Sequence, residues 1–265
     1  MIDEIIITVT KRLPAVVPHL RGRAGLLYCE RKSMARDKRE PLLDRKEKDE
    51  NKLRLAIMRR FRRQLNAIEA DLKRTKTIVS PGVFVPDDGE EYTELVRLMY
   101  NAILAGVAYN ETEIGFALGD GSVNRPALEY SQKYVTQWLR DLDEVSSKAV
   151  RDALSVFISQ PGASLGDVMN ILQAGGFSEQ RAQRIAVTEI TRVFAEANQI
   201  YANALASQYP EFKVQKQFFT NVDDRVCPVC APLDGKTADY NDEFAMPNPP
   251  LHVNCRCWTA VTVKA

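Results

Sequence analysis

The sequence predicts an α+β fold in which a mainly helical body precedes a small β module at the C-terminal end. Three observations predict it. Apolar residues recur at intervals of three or four from Leu53 to Ala204, the period of a helix face turned toward a core. After Pro210 the pattern changes, and Val214–Thr220 and Trp258–Val263 are rich in β-branched and aromatic residues in the manner of strands. Between those strands lie turn residues and four of the five cysteines. A chain of 265 residues with 45% hydrophobic composition can bury one large core or two smaller ones.

Taken in order, residues 1–80 read as a basic, partly flexible helical arm. Pro14, Pro18 and Pro41, with Gly22 and Gly25, leave its first part little packed core, and Cys29 reads as a free thiol without a role. No apolar stretch is long enough to span a membrane, and acids at Asp3 and Glu4 argue against a signal peptide, so a cytoplasmic, soluble chain is expected. From Asn51, Leu53, Ile57, Phe61, Leu65, Ile68 and Leu72 lay an apolar stripe down a helix whose other faces carry Arg54, Arg59, Arg60, Arg62 and Arg63. Residues 21–76 hold 19 Lys/Arg against 9 Asp/Glu, a net +10 concealed by the overall +1. A solvated helix face is the plain reading of that run, and contact with DNA or an acidic scaffold the functional one.

Ser80, Pro81 and Gly82, then Pro86, Asp87, Asp88 and Gly89, mark a linker. Residues 90–207 read as a helical body. Tyr92, Leu95, Val96, Met99, Ile103 and Val107 give a first stripe, which stops near Gly119–Gly121. Leu128, Val135, Trp138, Leu139, Leu142 and Val145 give the next, continued by Val150, Leu154 and Phe157 up to Pro161 and Gly162. Ser164 and Asp167 stand at capping-box spacing for a short helix that ends at Gly175 and Gly176. Ser178 can cap the longest helix, over 179–206, with Ala182, Ile185, Ala186, Val193, Ala197, Ile200 and Ala204 on its inner face.

Residues 208–265 carry the chemistry. Cys227 and Cys230 form a CxxC turn, in which two thiolates can bite one ion while backbone amides point at the sulfurs. After 21 residues come His252, Cys255 and Cys257 in an HxxCxC run. In a reducing compartment this clustering argues for metal over disulfides, and the donors suit structural zinc. Cys227, Cys230 and Cys255 are three ligands; His252 repeats the bite spacing, and Cys257 competes for the fourth place because residues two apart on a strand project to one side. A tail of this size has too little core to fold without a staple, so the module is expected to be zinc-stapled and to pack on the 179–206 helix. Asp234 and Gly235 suit a tight hairpin turn between the two knuckles.

Several of these features together resemble the phage Mu protein F family of head morphogenesis proteins. The resemblance rests on TEITR at residues 188–192 in the long helix, Asn198 downstream, DDRVCPVCAPLDG at 223–235 and PPLHVNCRCW at 249–258. It covers about residues 150–260, with Phe218 and Phe219 standing where many members carry Trp. It implies a low-copy minor head protein of the virion, associated with the portal protein and the capsid interior and assembled in the host cytoplasm. Capsid or scaffold protein, and nonspecifically packaged DNA, are further expected partners. In some members a toxin or nuclease follows the domain; here the chain stops soon after the motif, so none is expected.

Two other classes fit the sequence less well. A zinc-dependent hydrolase or nuclease needs an open metal position and a general base, yet no HExxH or HxE signature occurs and the only histidines are His19 and His252. Glu189 and Arg192 belong to the family pattern as a possible functional pair, and are expected to brace the long helix against the zinc module. A helix-turn-helix around Gly175–Gly176 would need a basic second helix, whereas Arg181, Arg184 and Arg192 are balanced there by Glu179, Glu189 and Glu196. The expectation is therefore assembly and no enzymatic turnover.

Overall fold

A computed structural model of the chain describes residues 36–75, 79–84, 89–160, 164–221 and 226–264. The first part of the expected arm, with His19 and Cys29, lies outside the described residues, as do Pro86, Asp87 and Asp88 of the linker, Pro161 and Gly162, and Asp223–Arg225 of the cysteine motif. The described elements are α1 (Arg36–Thr75), α2 (Glu90–Ile114), α3 (Asp120–Ser159), α4 (Leu165–Ala174), α5 (Glu179–Gln208), β1 (Lys213–Phe219), β2 (Thr237–Asp239) and β3 (Trp258–Lys264). The fold is α+β: mostly helix, with one three-stranded sheet.

Local chemistry explains the boundaries. Helix α2 stops at Gly115, which takes φ +81°, a conformation that costs glycine nothing and other residues a steric penalty. Helix α4 starts with a complete capping box: Ser164 Oγ accepts from the Asp167 amide, and the Asp167 carboxylate accepts from the Ser164 amide. Ser178 Oγ caps α5 by accepting from the Arg181 amide.

Helix α5 is the hub, packed against α1, α2, α3 and the sheet. Ala182, Ala186, Val193, Ala197, Ile200 and Ala204 of the expected inner face are all buried, and Ile185 is half-buried. The small residues allow a close approach to α2, since a Cβ built on Gly106 would lie 2.6 Å from the Ala197 Cβ. Helix α1 is no detached arm over its described length. Leu53, Ile57, Phe61, Ile68 and Leu72 are buried, and α1 shares one compact unit with the body and the sheet, because a stripe this apolar gains more from the core than from solvent. Val145 departs from its expected stripe and is exposed.

The sheet has the order β2-β1-β3, with both pairings antiparallel. Its register sets Phe219 opposite Trp258, and their rings stack with centroids 5.6 Å apart. Gly235, at φ +73°, makes the turn that brings β2 beside β1, while Asp234 Oδ1 accepts from both the amide and the hydroxyl of Thr220. The Asp234–Gly235 pair thus closes the end of β1 and leads into β2.

Candidate metal centre and its clasp

The two cysteine turns meet at the end of the sheet. In the first, the Cys230 amide donates to the Cys227 carbonyl at 3.1 Å and to its Sγ at 3.3 Å, the local geometry that aims a CxxC backbone at its own sulfur. The second is closed by the Cys255 amide donating to the His252 carbonyl. Across the gap, His252 Nε2 lies 3.0 Å from Cys227 Sγ and 3.4 Å from Cys230 Sγ, and Cys230 Sγ lies 3.9 Å from Cys255 Sγ.

These side chains fall into two overlapping triads, Cys227–Cys230–His252 and Cys230–Cys255–Cys257, so Cys230 is common to both. All five expected donors are thereby brought together. Two thiolates about 2.3 Å from one tetrahedral zinc stand about 3.8 Å apart, close to the Cys230–Cys255 separation. A disulfide needs about 2.05 Å, and the four described cysteines are free. His252 keeps Nε2 toward the sulfurs because its Nδ1 is hydrogen-bonded to the Val253 carbonyl at 2.9 Å, the outer partner that orients a ligating imidazole.

The electrostatics point the same way. A hydrogen bond from the Cys257 side chain, then backbone amides and the charge of His252, draw the Cys255 thiol down to about 5 against its burial. Burial and the neighbouring sulfurs push Cys230 up to about 12, and Cys257 is pushed up by its bond to Cys255 and by burial. Burial opposes ionisation of Cys227, but hydrogen bonds from Cys230 and the charge of His252 lower it overall. Closely set thiols oppose one another's ionisation, and a divalent cation removes the conflict by holding them as thiolates. The residues fit a zinc ion on chemistry and spacing.

The centre is also the core of its module. Phe218, Cys230, Met246, Cys255 and Cys257 form one buried cluster, with Cys227, Leu233, Ala238 and Leu251 packed around it.

Helix α5 holds this module through Thr188 and Thr191 of the 188–192 motif and through Asn198, residues to which the sequence alone assigned no role. Thr188 Oγ1 accepts from the Asn254 amide at 2.8 Å, and Thr191 Oγ1 donates to the Cys255 carbonyl at 2.8 Å. Asn198 Nδ2 donates to the carbonyl and hydroxyl oxygens of Thr259 at the start of β3. Positions 188, 191 and 198 fall on one side of a helix turning about 100° per residue, so one face of α5 grips the second knuckle and the strand after it. Asn110 of α2 completes the seam: its Nδ2 donates to Asn198 Oδ1 at 2.6 Å and its Oδ1 accepts from the Val261 amide.

Glu189 and Arg192 require a correction, because they do not brace α5 against the metal module. The Glu189 carboxylate accepts from the Tyr134 hydroxyl of α3 and from Arg192 Nε at 3.3 Å, and the Arg192 guanidinium lies over the Tyr134 ring, 6.0 Å from its centroid. The pair therefore joins α5 to α3. The neighbouring threonines of the same motif, Thr188 and Thr191, make the attachment to the module.

The arginines of α1 need a second correction. Arg60 is buried and cannot meet DNA or scaffold, because its guanidinium forks onto Asp143 at 2.5 and 3.2 Å and reaches Glu91 at 2.6 Å. Arg54 pairs with Glu179 at 2.6 Å, Arg59 with Glu94 at 2.5 Å and Arg63 with Glu91 at 2.5 Å. Arg62 is exposed. Much of the positive stripe is thus answered by acids on α2, α3 and α5.

One further cation reaches the centre. Lys46 of α1 is buried, and its Nζ donates to the carbonyl of Arg256, the residue between Cys255 and Cys257, at 3.1 Å. Burial holds its ammonium below the ordinary lysine range, against the pull of Glu50 and of the Cys255 and Cys257 thiols.

A helix that clasps a cysteine-rich β module, with a Cys/His cluster at its heart that could hold a metal ion, has the build of a structural domain. Residues 147–260, from the last third of α3 into β3, match the model of the phage Mu protein F like family, which supports the resemblance seen in the sequence. The family is one of structural head proteins, consistent with a part in head morphogenesis and with a non-enzymatic role. No curated protein and no solved structure matches the chain. Among the described residues, no helix is long and apolar enough to cross a membrane.

Proposed function

We propose that this protein is a non-catalytic minor head component acting in phage capsid morphogenesis, present in few copies, associated with the portal and the capsid interior, and carrying one structural zinc per chain. The single observation that supports it most is the use made of the family's own motif. Thr188, Thr191 and Asn198 are spent on fastening the Cys/His module to helix α5, which with 30 residues is shorter than α1 and α3 at 40, and all three are buried or half-buried there. A metal-fixed tail on a packed helical body offers a partner a preorganised face, so less conformational entropy is lost on docking. The thiolate-rich donor set has the character of closed structural zinc sites.

The test is genetic and compositional. Removing the gene should give aberrant or uninfectious heads, restored by the wild-type gene in trans. Mass spectrometry of purified particles should find the chain far below the copy number of the major capsid protein. Normal yields of infectious particles without the gene, or particles devoid of the chain, would contradict the proposal.

A further inference from the structure

We propose that Lys46 is the charge-balancing residue of the metal centre, so that zinc binding at the C-terminal module and docking of the N-terminal helix α1 are thermodynamically coupled. The inference rests on the zinc reading given above and extends it to a helix outside the matched segment 147–260.

Four observations carry it. Lys46 is only 4% exposed, and a buried ammonium is costly unless its charge and its donors are answered. Among the described residues its partners are the Arg256 carbonyl at 3.1 Å and one carboxylate oxygen of Glu50 at 3.8 Å. Burial also raises the affinity of Glu50 for its proton, which weakens that carboxylate as a counter-charge. The adjacent Asp49 is committed elsewhere, to Arg45 at 2.7 Å and Lys52 at 3.1 Å.

Further negative charge within reach of Lys46 lies one residue on either side of Arg256, at Cys255 and Cys257. A zinc ion held by Cys227, Cys230 and Cys255 is a net anion whether His252 or Cys257 completes the set, because three thiolates already outweigh its double charge. Bound zinc therefore supplies Lys46 with a counter-charge, and Lys46 in turn lowers the cost of gathering the thiolates. The carbonyl contact further holds the backbone between Cys255 and Cys257, so the lysine also positions the second ligand turn. A favourable interaction between two sites acts equally in both directions. Zinc must hold α1 down as strongly as α1 holds zinc.

The full-length chain tests this without any activity assay. Zinc affinity is read by competition with a chromophoric chelator for the wild type, Lys46→Met and Lys46→Arg. Lys46→Met should bind zinc about 10-fold or more weakly, the usual cost of losing an outer partner of a metal site, and Lys46→Arg should recover most of the loss. In parallel, hydrogen exchange of the wild type before and after chelation needs no variant to fold. Chelation should raise exchange in α1 around Lys46 while the α2–α3 pair stays protected. A wild type that takes up one zinc, with Lys46→Met matching its affinity or with exchange in α1 indifferent to chelation, would overturn the coupling and leave the zinc reading standing. A wild type that binds no zinc would overturn both.

Discussion

The helical body and the C-terminal module solve the same folding problem with different materials. The body buries long apolar stripes such as Leu53, Ile57, Phe61 and Ile68 on α1 and Leu95, Met99 and Ile103 on α2, each large side chain contributing about 1.5–3 kcal/mol. The module's buried cluster has five members, and three of them are cysteines. Where the body has surface to hide, the module has ligands to gather. The difference teaches that the two regions should fail separately: the body through packing defects, the module through loss of the proposed zinc.

The largest effect should come from Cys230→Ser, because Cys230 belongs to both triads. Structural zinc sites contribute about 10–16 kcal/mol of apparent binding energy, far more than so small a core can replace. The near-ultraviolet circular dichroism of the stacked Phe219–Trp258 pair should collapse while the far-ultraviolet helical signal largely persists. Equal loss of both signals would break the comparison.

Gly106→Ala should do the reverse. Its new methyl group would sit 2.6 Å from the Ala197 Cβ and push α2 off α5, at a cost of about 1–3 kcal/mol. Chemical denaturation followed by helical signal should show the drop, with zinc stoichiometry unchanged. Thr191→Val sharpens the contrast at the boundary itself. It keeps the shape but strips the Cys255 carbonyl of its donor, so the module should loosen by about 1 kcal/mol, seen as faster zinc release to a chelator.

The smallest effect is one of pH. Burial, and then Glu243, raise the proton affinity of Glu196 in the folded chain. A carboxyl whose folded value lies above its unfolded value adds stability below the unfolded value, near 4.5, and loses it as pH rises through the folded one. Glu196→Gln should therefore raise the melting temperature at neutral pH and change it less at pH 4.

What was legible in the sequence was local. The stripes of α1 to α3, the Ser164–Asp167 box, the Ser178 cap and the CxxC and HxxCxC spacings all depend on residues within a turn or two of one another. Illegible were pairings set by tertiary packing. Thr188 and Thr191 meet residues 66 and 64 positions away, and Lys46 meets one 210 positions away. Arg60 looked like one more cation on a polar face. A signal did exist, because Asp143 stands next to Leu142 and four residues after Leu139, an acid on the buried side of α3 that requires a cation from another element. Glu189 and Arg192 drew attention as charged motif residues, whereas the less conspicuous threonines beside them hold the module.

The most direct test of the central claim is native mass spectrometry of the full-length chain before and after chelation, paired with circular dichroism on the same samples. One zinc per chain, whose removal abolishes the Phe219–Trp258 signal and spares most of the helical signal, is the predicted result. A metal-free or disulfide-linked chain that shows both signals intact would contradict it.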